Sequence, residues 1–151
     1  MSNRRWLVLL LCLLWAASIF ATSSTVITPQ AFFAWFRANI FDDPESFRRF
    51  QLFWAASWLF IVKGWHVTEF AILTVLATMS IDAFTGNRKT RNLLIAAVLC
   101  VLYAASDEWH QTFVPQRGGI FSDVLIDSAG IAIASSFLYR KRRPKPLLPV
   151  A

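Results

Sequence analysis

Charged residues are scarce in this chain: Asp, Glu, Lys and Arg make up 16% of its 151 residues, against about 25% in ordinary soluble domains. Apolar residues reach 56% and include seven Trp and fourteen Phe. Trp side chains are typical of the level of the lipid head groups. The composition therefore excludes an ordinary soluble domain and predicts an integral membrane protein.

Cysteine is also scarce, and neither Cys12 nor Cys100 lies in a polar loop. Both are inside apolar runs, where a thiol behaves as a small hydrophobic side chain. We therefore expect neither a disulfide framework nor a cysteine metal site. The chain also lacks a G-x-S-x-G motif, so covalent chemistry by a serine triad is disfavoured.

The basic residues do not form the single surface that nucleic-acid binding requires. Ten of the fifteen Lys and Arg flank apolar runs, at residues 4–5, 88–91 and 140–145. Short basic segments of this kind are typical of the cytoplasmic ends of membrane spans. The pattern predicts a multi-pass protein with both termini in the cytoplasm and no nucleic-acid partner.

Four apolar segments predict membrane spans, near residues 6–22, 62–82, 92–110 and 120–139. The first has no small-x-small cleavage site, so we expect a retained anchor. Residues 31–61 predict an outer interfacial segment, in which 51–62 is interfacial, re-entrant or part of a longer second span. We expect Asp82 to cap its helix or to pair with Arg88 or Arg91.

These segments together predict the fold class and the domain organisation. Residues 1–140 form one membrane domain, an all-α polytopic bundle of about four transmembrane helices plus an interfacial or re-entrant helix. Residues 141–151 form a disordered, basic cytoplasmic tail.

Ionisable side chains from three spans are expected at one depth. A helix rises about 1.5 Å per residue, and the hydrocarbon core is about 30 Å thick. Counting from the cytoplasmic ends places six side chains in the outer third of the core: His66, Glu69, Asp107, Glu108, Asp123 and Asp127. Each would cost on the order of 3 kcal/mol if it faced lipid. They are therefore predicted to line one polar pocket that opens on the extracytoplasmic side.

The predicted ligand-binding residues are the polar side chains around this pocket: Lys63, His66, Glu69, Asp107, Glu108, His110, Gln111, Arg117, Asp123 and Asp127. No catalytic residue is assigned, and the candidates for acid–base chemistry are Glu108, His66, Asp107 and Asp123. Two structural alternatives remain. Either the acids simply end a helix at the head groups, or Lys63, Arg117 and His66 neutralise them in an interhelical network.

No cofactor is predicted, although a divalent metal is an alternative. His66-x-x-Glu69 and Asp107-x-x-His110 each put an imidazole and a carboxylate on one helical face. Such ligands suit Zn²⁺, Mn²⁺ or Fe²⁺.

The segment SDEWHQTFVPQRGGIFSDVLIDSAG, residues 106–130, resembles the VanZ-like family of small bacterial membrane proteins. The matching elements are Asp107-Glu108-x-x-Gln111, Pro115-x-Arg117, Asp123 with Gly130, and the earlier Lys63-x-x-His66-x-x-x-Phe70. The chain departs from the family at Asp127, where Asn is frequent, and at Trp109, where an aliphatic residue is common. The resemblance implies a protein of the bacterial cell envelope, and the founding members are associated with resistance to teicoplanin-type glycopeptides.

The leading hypothesis is a protein of the bacterial cytoplasmic membrane whose outward polar pocket binds or modifies an amphiphilic ligand. Its expected partners are the lipid bilayer and a lipid-linked envelope precursor or lipoglycopeptide. One alternative is a structural or assembly subunit whose polar cluster holds helices together, and another is a metal-assisted envelope enzyme. Transport is disfavoured, because four spans without repeats rarely form an alternating-access machine. The sequence leaves the ligand, any reaction and the oligomeric state open.

Overall fold

The computed structural model of the chain describes residues 2–143. Within this range the chain forms five α-helices and no strand: α1 (Ser2–Ser23), α2 (Pro29–Asn39), α3 (Pro44–Thr85), α4 (Thr90–Gln111) and α5 (Phe121–Arg142). The predicted all-α fold is confirmed. Most of the predicted tail, residues 144–151, lies outside the described residues, and residues 141–142 belong to α5.

Local sequence determines where the helices begin and end. Thr28 caps α2, and the Asp43 carboxylate caps α3 by accepting the backbone N–H groups of Glu45 and Ser46 at 2.9 Å. In both helices a proline follows the cap, where its missing N–H is not needed. Gly86 ends α3 with a φ of 68°, a conformation that glycine adopts without strain.

Four of these helices, α1, α3, α4 and α5, are long and apolar enough to cross a membrane. Helix α3 packs against the other three, and α4 packs against α5. The centre of the bundle is a core to which all four helices contribute, formed by Ile19, Phe70, Leu73, Cys100, Ala104, Val124 and Ile131. Many large apolar side chains remain exposed around it, as a lipid-facing surface requires. The chain is a multi-pass membrane protein.

The bundle has two chemically different ends. At the acidic end, α1 and α4 finish at Ser23 and Gln111, α5 begins at Phe121, and α3 passes by at Lys63. At the basic end, α3 and α5 finish and α4 begins. Trp6 of α1 also lies at the basic end, where its ring centroid is 5.1 Å from that of Phe84.

Helix α3 is much longer than the bundle. Its 42 residues span about 63 Å at about 1.5 Å per residue, roughly twice the thickness of the hydrocarbon core. Residues 51–62, whose structure the sequence leaves open, are a continuous part of this helix. Residues 44–62 therefore extend past the acidic end.

Helix α2 folds back on this extension and contacts it through aromatic rings. The Phe32 ring centroid lies 4.4 Å from that of Trp54, and the Phe36 centroid lies 4.8 Å from that of Phe50. We call α2 and residues 44–62 the aromatic hairpin.

An ion pair closes the basic end. Arg142 lies 2.5 Å from the Asp82 carboxylate and donates to the Lys89 carbonyl at 2.6 Å. The Asn92 amide donates to Asp82 at 3.0 Å, so α3, α4 and α5 are joined here. The expected pairing of Asp82 with Arg88 or Arg91 is wrong, because the last turn of α5 brings a basic side chain closer than the loop does.

Candidate functional site

Two pairs of side chains connect α3 and α5 at the acidic end, each joining a basic residue of α3 to an aspartate of α5. Lys63 Nζ lies 2.6 Å from Asp123 Oδ2, and His66 Nδ1 lies 3.5 Å from Asp127 Oδ1. Residues three or four apart share one face of a helix, so Lys63 and His66 face Asp123 and Asp127 in order. The first pair is partly exposed, whereas Asp127 in the second is fully buried.

A close approach of the two backbones brings these pairs together. A Cβ atom added to Gly130 of α5 would lie only 2.1 Å from the backbone carbonyl oxygen of Val67 in α3. Any larger residue would therefore separate the helices. Gly130 is three residues after Asp127 and Val67 directly follows His66, so the contact sets the spacing of the deeper pair.

Gln111, the last residue of α4, joins the acids of that helix to the following loop. Its amide nitrogen donates to Asp107 Oδ2 at 2.8 Å and to Glu108 Oε1 at 3.2 Å. Its amide oxygen accepts a hydrogen bond from Arg117 Nε at 2.9 Å. The other Glu108 oxygen accepts the backbone N–H of Ile120 at 3.0 Å, which fixes the start of α5.

Helix α1 contributes to the site in a way that the sequence analysis missed. The Ser23 hydroxyl donates to Asp107 Oδ2 at 2.7 Å, and Trp15 Nε1 donates to the Glu69 carbonyl at 2.9 Å. Arg117 donates to the carbonyl oxygens of Thr22 and Thr25 at 3.1 and 3.0 Å. These α1 groups are hydroxyls, an indole and backbone carbonyls, whereas only ionisable side chains are counted in the depth prediction. Counting hydroxyl side chains along α1 as well would have predicted the Thr22–Thr25 segment at the same depth.

We call the polar side chains gathered here the acidic cluster: Lys63, His66, Glu69, Asp107, Glu108, Gln111, Arg117, Asp123 and Asp127. Three helices and the loop after α4 supply them. The sequence predicted that these side chains line an open pocket, but in the structure they pack closely against one another. Glu69, Asp107, Glu108 and Asp127 are all buried. The physical reason is that Gln111, Ser23 and backbone groups donate directly to the carboxylates and fill the space between the helices.

Two shallow cavities lie elsewhere on the bundle. One, of about 370 Å³, lies along α5 between Ala132 and Arg140. The other, of about 300 Å³, lies between α4 and α5 near Leu93 and Ser135. Neither is lined by a residue of the acidic cluster.

His110 is the one predicted site residue that lies apart from the cluster. Its ring centroid is 4.4 Å from that of Phe20, and no hydrogen bond joins it to the acids in the described part of the chain. The predicted metal ligands His66, Glu69, Asp107 and His110 are therefore not gathered around one point. Across residues 2–143, no three His, Cys, Asp or Glu side chains are arranged to hold a metal ion.

A family model described as VanZ/LLP1 matches residues 7–142, a range that includes every residue of the acidic cluster. No curated protein and no solved structure matches the chain. The family resemblance stated from the sequence is confirmed by the first comparison.

Proposed function

This chain belongs to the VanZ/LLP1 family, and on that premise we propose that it binds the head group of an amphiphilic cell-envelope ligand at its acidic end. The protein then resides in the bacterial inner membrane. The concentration of Lys and Arg at the basic end supports an orientation with that end and both termini in the cytoplasm. The acidic end faces the outside, where envelope precursors and glycopeptides are found.

The main support for this proposal is that the acidic cluster contains more carboxylates than basic side chains. Five carboxylates, from Glu69, Asp107, Glu108, Asp123 and Asp127, are gathered with only two permanently charged bases, Lys63 and Arg117. Burying an unpaired carboxylate is costly, by several kcal/mol for an ion after relaxation. A bundle held together only by ion pairs needs no such excess, whereas a ligand rich in N–H or O–H donors would relieve it.

The aromatic hairpin supports an amphiphile as the ligand. It extends from the acidic end and exposes large apolar side chains, including Phe53, Trp58 and Phe60. A contiguous exposed apolar surface is typical of a binding surface or a lipid contact. A ligand with a polar head and an apolar tail matches a buried acidic cluster beside such a surface.

A second candidate function is supported by the hydrogen bonds of Gln111 and Arg117. These two side chains tie α4 and its following loop to the C-terminal end of α1. A network of this kind is what a structural or assembly subunit would use to hold its helices together. The two functions draw on different residues of the cluster, since the Gln111 side chain is hydrogen-bonded within the protein, whereas neither Asp127 oxygen accepts a hydrogen bond within residues 2–143.

The proposal is tested by expressing the chain in a teicoplanin-susceptible bacterium and measuring both the tolerated antibiotic concentration and the abundance of the protein in the membrane. We expect the wild-type chain to raise tolerance. Asp127→Ala should abolish this gain with abundance unchanged, because it removes two buried carboxylate oxygens that accept no hydrogen bond within residues 2–143. Asp42→Ala, which changes an exposed acid outside the cluster, is the matched control and should behave as wild type.

Two outcomes contradict the binding role of the acidic cluster. Full tolerance with Asp127→Ala at normal abundance would show that antibiotic tolerance does not depend on the acidic cluster. Loss of tolerance together with loss of the protein from the membrane would favour the structural function instead.

A further inference from the structure

The carboxylate oxygens of the acidic cluster differ in the number of hydrogen bonds that they accept. Both oxygens of Glu108 accept hydrogen bonds, and Asp107 Oδ2 accepts two. In contrast, no donor within residues 2–143 is hydrogen-bonded to Asp107 Oδ1 or to either oxygen of Asp127. His66 Nδ1 is near Asp127, but its separation of 3.5 Å is at the limit of a hydrogen bond. Three buried acceptors are therefore left without a donor in the described residues, and two of them belong to Asp127.

Buried carboxylate oxygens without donors are rare, and each one calls for an explanation. Asp127 is the clearest case because it is completely buried. A ligand for this site must carry positive charge and several hydrogen-bond donors.

The two side-chain pairs between α3 and α5 lie at different depths. Side-chain exposure falls from 30% at Lys63 and 18% at Asp123 to 14% at His66 and 1% at Asp127. The Lys63–Asp123 pair thus lies nearer the surface, and Asp127 lies about one helical turn deeper. A head group that approaches Asp127 from the acidic end would meet the Lys63–Asp123 pair first.

We propose that Asp127 binds the primary ammonium group of an amphiphile's head group. This inference rests on the proposed function, and it names the ligand chemistry of the same site. A primary ammonium carries three N–H donors, enough to satisfy both unpartnered oxygens of Asp127. A quaternary ammonium has the same charge but no N–H, so it cannot satisfy them.

The experiment compares two lipids that differ only in those N–H groups. The delipidated protein in detergent is mixed with equal amounts of phosphatidylethanolamine and phosphatidylcholine with identical acyl chains, and retained lipid is counted by native mass spectrometry. We expect phosphatidylethanolamine to be retained in excess, on the order of tenfold, because charge-assisted hydrogen bonds are the strong ones. Equal retention, or preference for phosphatidylcholine, would overturn the proposal.

A second part of the experiment distinguishes a free amine from the amine of a lipid head group. Displacement of phosphatidylethanolamine by free ethanolamine would assign recognition to the amine itself. Preference for phosphatidylethanolamine without displacement would assign it to the amine as part of a lipid head group. Both results support an ammonium site, since each requires the N–H donors that phosphatidylcholine lacks.

Two variants connect the preference to the residue. Asp127→Asn should reduce the lipid ratio to about one, because the amide is uncharged and brings its own donors. Asp42→Asn should retain the wild-type ratio, and a preference that survives Asp127→Asn would overturn the assignment. If Asp127→Asn fails to fold, the comparison of the two lipids on the wild-type chain still tests whether the protein binds a primary ammonium group.

The failure of this inference is distinguishable from that of the proposed function. Equal binding of both lipids, combined with antibiotic tolerance that still depends on Asp127, would refute only the ammonium. Absence of any lipid retention together with tolerance independent of Asp127 would refute both.

Discussion

The close approach of α3 and α5 can be tested by a single methyl group. In Gly130→Ala the new Cβ would lie 2.1 Å from the carbonyl oxygen of Val67 and 2.9 Å from its carbonyl carbon. Close C···O contacts in proteins are about 3.3–3.6 Å, so the helices must separate by roughly 1 Å or more at this point. The obstacle is backbone, which cannot rotate away as a side chain can.

Two opposing effects determine the magnitude. Ala is favoured over Gly within a helix by about 0.5–1 kcal/mol, while forcing extra atoms into a packed interior costs about 1–3 kcal/mol. Gly64→Ala in α3 is the matched control, because its Cβ would meet nothing within 4 Å. We therefore expect Gly64→Ala to stabilise the protein slightly and Gly130→Ala to destabilise it, with about 1–3 kcal/mol between them.

The assay is unfolding of both variants and the wild type in one detergent, followed by the helical circular dichroism signal. The contrast between the two variants removes the common effect of helix propensity. If Gly130→Ala is as stable as Gly64→Ala, the two backbones are not in contact and the geometry of the acidic cluster must be revised. Lipid retention gives a second readout, because separating the helices should also widen the His66–Asp127 pair.

Two further substitutions test the networks at each end of the bundle. Gln111→Leu should destabilise the protein by about 2–6 kcal/mol, since two buried carboxylates each lose a donor at about 1–3 kcal/mol. Gln30→Leu, on an exposed part of α2, should change little, and equal unfolding midpoints of the two variants would contradict the role of Gln111. Arg142→Met should cost about 3 kcal/mol because it leaves Asp82 without its ion pair, whereas Arg140→Met, an exposed neighbour, should cost almost nothing. The same unfolding assay checks both, and equal stability of the two Arg variants would refute the ion pair at the basic end.

The sequence was sufficient for the fold class, and it predicted that most side chains of the acidic cluster lie near one another. Long apolar segments with basic flanks permit few structures besides a helical membrane bundle, since backbone groups in lipid must be satisfied within each helix. Helical rise is constant, so counting residues from the basic flanks predicted similar positions along the bundle for His66, Asp107 and Asp127 without tertiary information. The continuous α3 was harder to predict, because residues 51–62 are too short to span and carry no signal for or against helical continuity with the segment that follows.

Depth along a helix is determined by the sequence and the bilayer, but rotation about the helix axis is determined by packing. Only the tertiary structure decided that His110 turns toward Phe20 while Gln111, one residue later, faces the acids. It also decided that Gly130 lets α3 and α5 touch and that Asp127 is left with two unpartnered oxygens. These outcomes depend on which side chains of other helices occupy the space, and no pattern within one segment contains that information.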